Sequence, residues 1–87
     1  MKKEVTIINE TGLHARPASM FVREASKFKS SVELIHDGEK VNAKSIMGIM
    51  KLGLSKGTTI EIETNGEDEE LALDTMVKLV EDGFGEK

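Results

Sequence analysis

The sequence contains no cysteine, which excludes disulfide staples and thiolate metal sites and fits a reducing compartment. Tryptophan and tyrosine are missing too, and phenylalanine occurs only three times. With so few aromatics, a net charge of −4 and no recognition motif, direct nucleic-acid binding is not expected. No apolar run approaches the roughly 20 residues of a membrane span. The opening "MKKEVTIINE" carries Glu4 too early for a signal peptide, so we read a cytoplasmic protein with no membrane insertion. No Walker-type glycine loop or kinase signature appears, and hence no nucleotide site. Two histidines without cysteine or a spaced carboxylate cluster make no metal centre, and no cofactor is expected.

What is present is a small, charge-segregated chain. Its 87 residues, 38% apolar and 32% charged, suit one soluble domain spanning 1–87. Residues 11–56 hold eight Lys or Arg against four acids, a net of +4. Residues 57–87 hold two bases against ten acids, a net of −8. The basic half suits phosphate groups or acidic partners.

The patterning predicts seven elements. "EVTII" (4–8) alternates Val5 and Ile7 with Glu4, Thr6 and Ile8 and reads as a strand. From Ala15 to Phe28 the apolar positions 18, 21, 22, 25 and 28 form a helical stripe. The only proline, Pro17, is tolerated only in the first turn, which fixes the helix start near His14 or Ala15. "SVELIH" (31–36) and "EKVNA" (39–43) flank Asp37-Gly38, a hairpin signal. Ser45 is a good N-cap for a short helix 46–52 closed by Gly53. "TTIEIET" (58–64) alternates isoleucine with acids, a strand with one face in water. After the Asn65-Gly66 turn, Asp68 can cap a last helix over 69–82, with Leu73, Met76, Val77 and Val80 inward and Gly83 ending it. The order βαββαβα favours an α+β fold: a mainly antiparallel sheet with helices on one face.

The stretch "TGLHARPAS" (11–19) carries the chemistry. A helix beginning at Ala15 puts His14 at the N-cap, beside backbone N–H groups that lack helical partners and a positive dipole end. A phosphoryl group on that imidazole would meet such donors, for example those of Arg16 and Ala18. Arg16 can add charge-assisted hydrogen bonds to phosphate oxygens. Phosphoryl transfer asks mainly for positioning and charge stabilisation, so this corner can serve it without a metal. The same placement would serve a plain polar cap. His36, before a hairpin turn, reads as a strand-end surface residue.

A second stretch, "KSIMGIMKLGLS" (44–55), has more apolar residues than one short helix can bury. Ile49 and Leu52 are read as core, and Met47, with Ile46 and Met50, as an adaptable outer patch. A phosphate on Ser45 would join an anion to a helix N-terminus and would repel an acidic partner.

"TGLHARPAS" followed by "NAKSIMGIMKLGLSKGTTIEIETNGEDEELAL" closely resembles the HPr family, histidine-containing phosphocarriers of the bacterial phosphoenolpyruvate-dependent sugar phosphotransferase system. The resemblance spans essentially the whole chain. It implies an open-faced β-sandwich, four antiparallel strands covered by three helices. It implies that His14 is phosphorylated by enzyme I and relieved by sugar-specific IIA domains, with Arg16 matching the active-site arginine; Ala15, Arg16 and Ala18 are the expected phosphoryl-binding residues. It further implies that Ser45 is the target of the ATP-dependent HPr kinase/phosphorylase, the modified form acting with the catabolite control protein. Ser19, Met20, Arg23, Ile46, Met47 and Met50 would match the docking face. Crh, a regulatory paralogue, carries glutamine where this chain has His14, which places the sequence with the carriers. The nitrogen-branch paralogue NPr shares the histidine and stays an alternative. Nothing demands more than a monomer.

Overall fold

Alternating isoleucine and glutamate in residues 58–64 sets the architecture, because a strand so patterned must bury one face and wet the other. The computed structural model describes residues 1–86. Its elements are β1 (Lys2–Thr6), α1 (Ala15–Ala25), β2 (Ser31–His36), β3 (Glu39–Asn42), α2 (Ile46–Lys51), β4 (Thr59–Asn65) and α3 (Glu69–Glu81), followed by a 3₁₀ turn over Gly83–Gly85. The strands form one antiparallel sheet in the order β1-β4-β2-β3. The expected four-stranded open-faced arrangement is therefore observed.

Register decides which residues meet the helices. Val5 lies opposite Ile60, and Leu34 opposite both Ile62 and Val41. These sit with Val32, under Phe21 and Ala18 of α1, Ile49 of α2 and Met76, Val77 and Val80 of α3, in one core cluster. The other face is polar. Lys2, Glu63, Glu33 and Asn42 line up across the four strands, and Lys40 Nζ lies 2.9 Å from Glu63 and 3.8 Å from Glu33. That contact with Lys40 holds the Glu63 carboxyl below its ordinary range.

Several boundaries differ from expectation for identifiable reasons. β1 starts at Lys2, because pairing with β4 extends it past its apolar alternation, and ends at Thr6, although Ile7 is fully buried beyond it. α1 ends at Ala25 rather than Phe28, whose side chain packs half-buried against the core from outside the helix. Asp37 and Gly38 both take positive φ, 52° and 80°, as a two-residue hairpin turn requires. Gly83 does end α3, but the chain then bends so that Phe84, at φ 56°, is buried with its ring centroid 6.4 Å from that of Phe21. No helix among the described residues is long and apolar enough to cross a membrane.

Candidate functional site

The start of α1 is built by its neighbours. Leu13 is buried, and its N–H donates to the Leu54 carbonyl at 3.0 Å. Gly12 lies so close that a Cβ there would fall 2.5 Å from the Leu54 oxygen, and its φ of 62° is one that glycine adopts without strain. This loop thus presses on residues 54–55 and delivers His14 to the N-cap of α1 in extended conformation, with no capping hydrogen bond from its side chain. His14 and Arg16 are exposed, whereas Pro17 is buried in the first turn.

The hydrogen bonds sort the first-turn donors. Ala18 N–H donates to the His14 carbonyl at 2.8 Å, the first bond of the helix. It is therefore not open to a phosphoryl group, which corrects the expectation for Ala18. Pro17 has no N–H. The N–H groups of Ala15 and Arg16 have no partner among the described residues, and the first turn carries no acid. Unpaired N–H donors at the positive end of the helix dipole make this start electropositive, which is the condition for receiving an anion. Among the described residues no carboxylate lies within ion-pair distance of Arg16.

One member of the site has no signal in the sequence. Glu86 lines the same pocket as Thr11, His14, Arg16 and Pro17. Its carboxylate accepts from Thr11 Oγ1 at 2.7 Å and from Asn9 Nδ2 at 3.1 Å. The Thr11 hydroxyl foremost, then the Asn9 amide and the nearby Arg16 charge, hold Glu86 below the usual carboxylate range. A contact across 75 residues leaves no local pattern; the buried Phe84 places it.

The second stretch folds as a capped turn and six-residue helix. Lys44 N–H donates to Asn42 Oδ1 at 2.8 Å and Lys44 Nζ to the Phe28 carbonyl at 2.9 Å. Ser45 is the N-cap, its hydroxyl accepting from Gly48 N–H at 3.3 Å. Ile49 is buried, Leu52 half-buried, and Ile46, Met47 and Met50 are exposed by 41%, 80% and 39%. These three, with Gly48 and Lys51, line an apolar depression. α2 packs on α1, where Ser19 and Met20 are half-buried and Arg23 exposed. His36 is half-buried at the end of β2, and no cluster of metal-ligating side chains occurs among the described residues.

Comparison with known proteins agrees with this geometry. Residues 1–82 match the family model described as the PTS HPr component phosphorylation site. The chain is 46% identical to the phosphocarrier protein HPr of Neisseria meningitidis serogroup B over 86 residues, 99% of this chain and 97% of that one. It superposes on HPr-C-His from Thermoanaerobacter tengcongensis with a TM-score of 0.97 and 50% identity, covering 100% and 98% of the two chains. It also matches the domain-swapped dimer of Bacillus subtilis Crh, with a TM-score of 0.77, 49% identity and 92% of each chain covered.

Proposed function

The chain belongs to the HPr family of the phosphotransferase system, and from that footing we propose that it relays a phosphoryl group on His14, from enzyme I to sugar-specific IIA domains. It is a phosphocarrier rather than an enzyme with its own turnover. A ring nitrogen of His14 attacks the phosphorus held by the donor; a new P–N bond forms as the donor's bond to phosphorus breaks. The transferred oxygens settle on the open N–H groups of Ala15 and Arg16, and the Arg16 guanidinium adds charge-assisted donors. Docking uses Ile46, Met47 and Met50 with Ser19, Met20 and Arg23. The working form is a monomer, and a cytoplasmic location goes with these partners.

The observation that carries this reading is an exposed imidazole at the N-cap of a helix whose first turn holds no acid. Incubation with enzyme I and phosphoenolpyruvate should add one acid-labile, base-stable phosphoryl group, and His14→Ala should take none. Histidine-type labelling retained in that variant would refute the assignment. Met47→Asp should slow transfer by about 5- to 30-fold with the fold intact, since it puts a charge into a desolvated contact. Unchanged kinetics would remove Met47 from the docking face. Sedimentation of the active protein as a dimer would contradict the monomeric form.

The likeness to Crh favours a second, compatible role: regulatory phosphorylation of Ser45 by the HPr kinase/phosphorylase, read out by the catabolite control protein. Ser45 is half-buried as a cap, and its phosphate would face the positive end of α2. ATP-dependent, acid-stable phosphate lost in Ser45→Ala is the expected result; a purified kinase that leaves the protein unmodified would contradict it. A nitrogen-branch carrier would instead exchange phosphate with the NPr-type donor faster than with enzyme I.

A further inference from the structure

The methionines of this chain are unequally protected. Met76 is fully buried in the core, whereas Met47 is 80% and Met50 39% exposed, both lining the apolar depression on α2. The nearest charge lining that depression is Lys51, and Lys44, Lys51 and Lys56 put three cations in the surrounding stretch of sequence, with no acid between residues 40 and 60. We propose that Met47, followed by Met50, is an oxidation site through which peroxide lowers docking of the carrier to its acidic partners. The proposal rests on the docking role given to this patch above.

The chemistry is a two-electron oxygen transfer. A sulfur lone pair of Met47 attacks one oxygen of hydrogen peroxide and an S–O bond forms as the O–O bond breaks. Sulfur is oxidised by two electrons, the departing oxygen is reduced, and the peroxide proton moves onto it to give water. The product is a chiral, polar sulfoxide in place of a flexible apolar side chain. A thioether fills an irregular apolar contact, whereas a sulfoxide oxygen must be desolvated to enter it. Loss at a well-packed contact of this kind is about 5- to 30-fold. Methionine sulfoxide reductases reverse the change, so the patch is a reversible redox switch that leaves His14 untouched.

The experiment treats the whole protein with hydrogen peroxide, maps sulfoxide by peptide mass spectrometry, and measures the initial rate of phosphoryl uptake from enzyme I before and after. Met47 should oxidise first and Met76 last, with the partly exposed Met1 and Met50 between them, and uptake should be about 5- to 30-fold slower and restored by the reductases. Met47→Leu/Met50→Leu, a volume-conserving pair, should lose its peroxide sensitivity, its uptake rate after treatment matching that variant's own untreated rate. Oxidised protein that transfers at the unoxidised rate would overturn the proposal. So would a Leu variant as sensitive as the wild type, or oxidation of Met76 ahead of Met47. Untreated protein that accepts no phosphoryl group at all would instead bring down the carrier reading, and the docking role of the patch with it.

Discussion

Two helices of this molecule begin in opposite ways. At the start of α1 the N-cap residue, His14, makes no side-chain cap, the first turn has no acid, and two N–H groups have no partner among the described residues. At the start of α3, Glu69 and Glu70 occupy the first turn, and Glu69 Oε1 accepts from Gly66 N–H at 3.1 Å. Asp68 turns away from the helix it precedes. Its carboxylate accepts from Ser30 N–H at 2.9 Å, Ser30 Oγ at 2.5 Å and Lys29 N–H at 3.0 Å. Ser30 Oγ in turn accepts from Asp68 N–H at 3.1 Å. The backbone physics is the same at both ends. One end spends its donors on holding the fold together, and the other keeps them for a visiting anion.

The largest expected effect separates the two ends outright. His14→Ala should abolish phosphoryl uptake while its unfolding free energy stays within about 0.5 kcal/mol of wild type, as for an exposed side chain without partners. Asp68→Ala should do the reverse, keeping uptake and lowering the denaturation midpoint. If Asp68→Ala lost uptake with an unchanged midpoint, the division of labour would be wrong. Next comes Arg16→Ala, which should slow transfer on the order of 100-fold, the scale of removing one charge-stabilising donor, with stability unchanged; rapid-quench transfer assays decide it.

The third test uses acid. Ser30 foremost, then the Lys29 and Ser30 N–H groups, lower Asp68 from 3.8 to about 2. A carboxyl depressed in the folded state contributes stability that is full above its unfolded value and is lost as pH falls through its folded one. Urea midpoints should therefore drop between about pH 4 and pH 2 in the wild type. The drop should be shallower in Asp68→Asn, and an identical slope in both would remove Asp68 from the account. The smallest effect belongs to α2: Ser45→Ala should cost about 0.5–1 kcal/mol, a long capping bond lost, measurable by thermal unfolding.

How far this was legible in the sequence follows from how local each cause is. Pro17 fixed the start of α1, Asp37-Gly38 the hairpin and Ser45 the α2 cap, because each acts within a few residues of itself. The isoleucine–glutamate alternation in β4 located the sheet's two faces. Long-range causes escaped. Lys2 and Lys3 show no strand pattern and become β1 only through β4. Asp68 looked like a cap for α3, but its best partners lie 38 and 39 residues away. Phe84 after a helix-ending glycine looks like tail, and Glu86 beside His14 needs that burial first. Ala18 lies one residue beyond the open positions: with His14 at the cap, its N–H makes the first helical bond.

A phosphoryl group carried on His14 should be received by the open donors at the start of α1. Backbone amide NMR of the ¹⁵N-labelled protein, before and after phosphorylation by enzyme I, addresses this directly. The largest downfield proton shifts should fall on Ala15 and Arg16, with Ala18 moving less. Amides of Ala15 and Arg16 that stay in place while phosphate sits on His14 would contradict it.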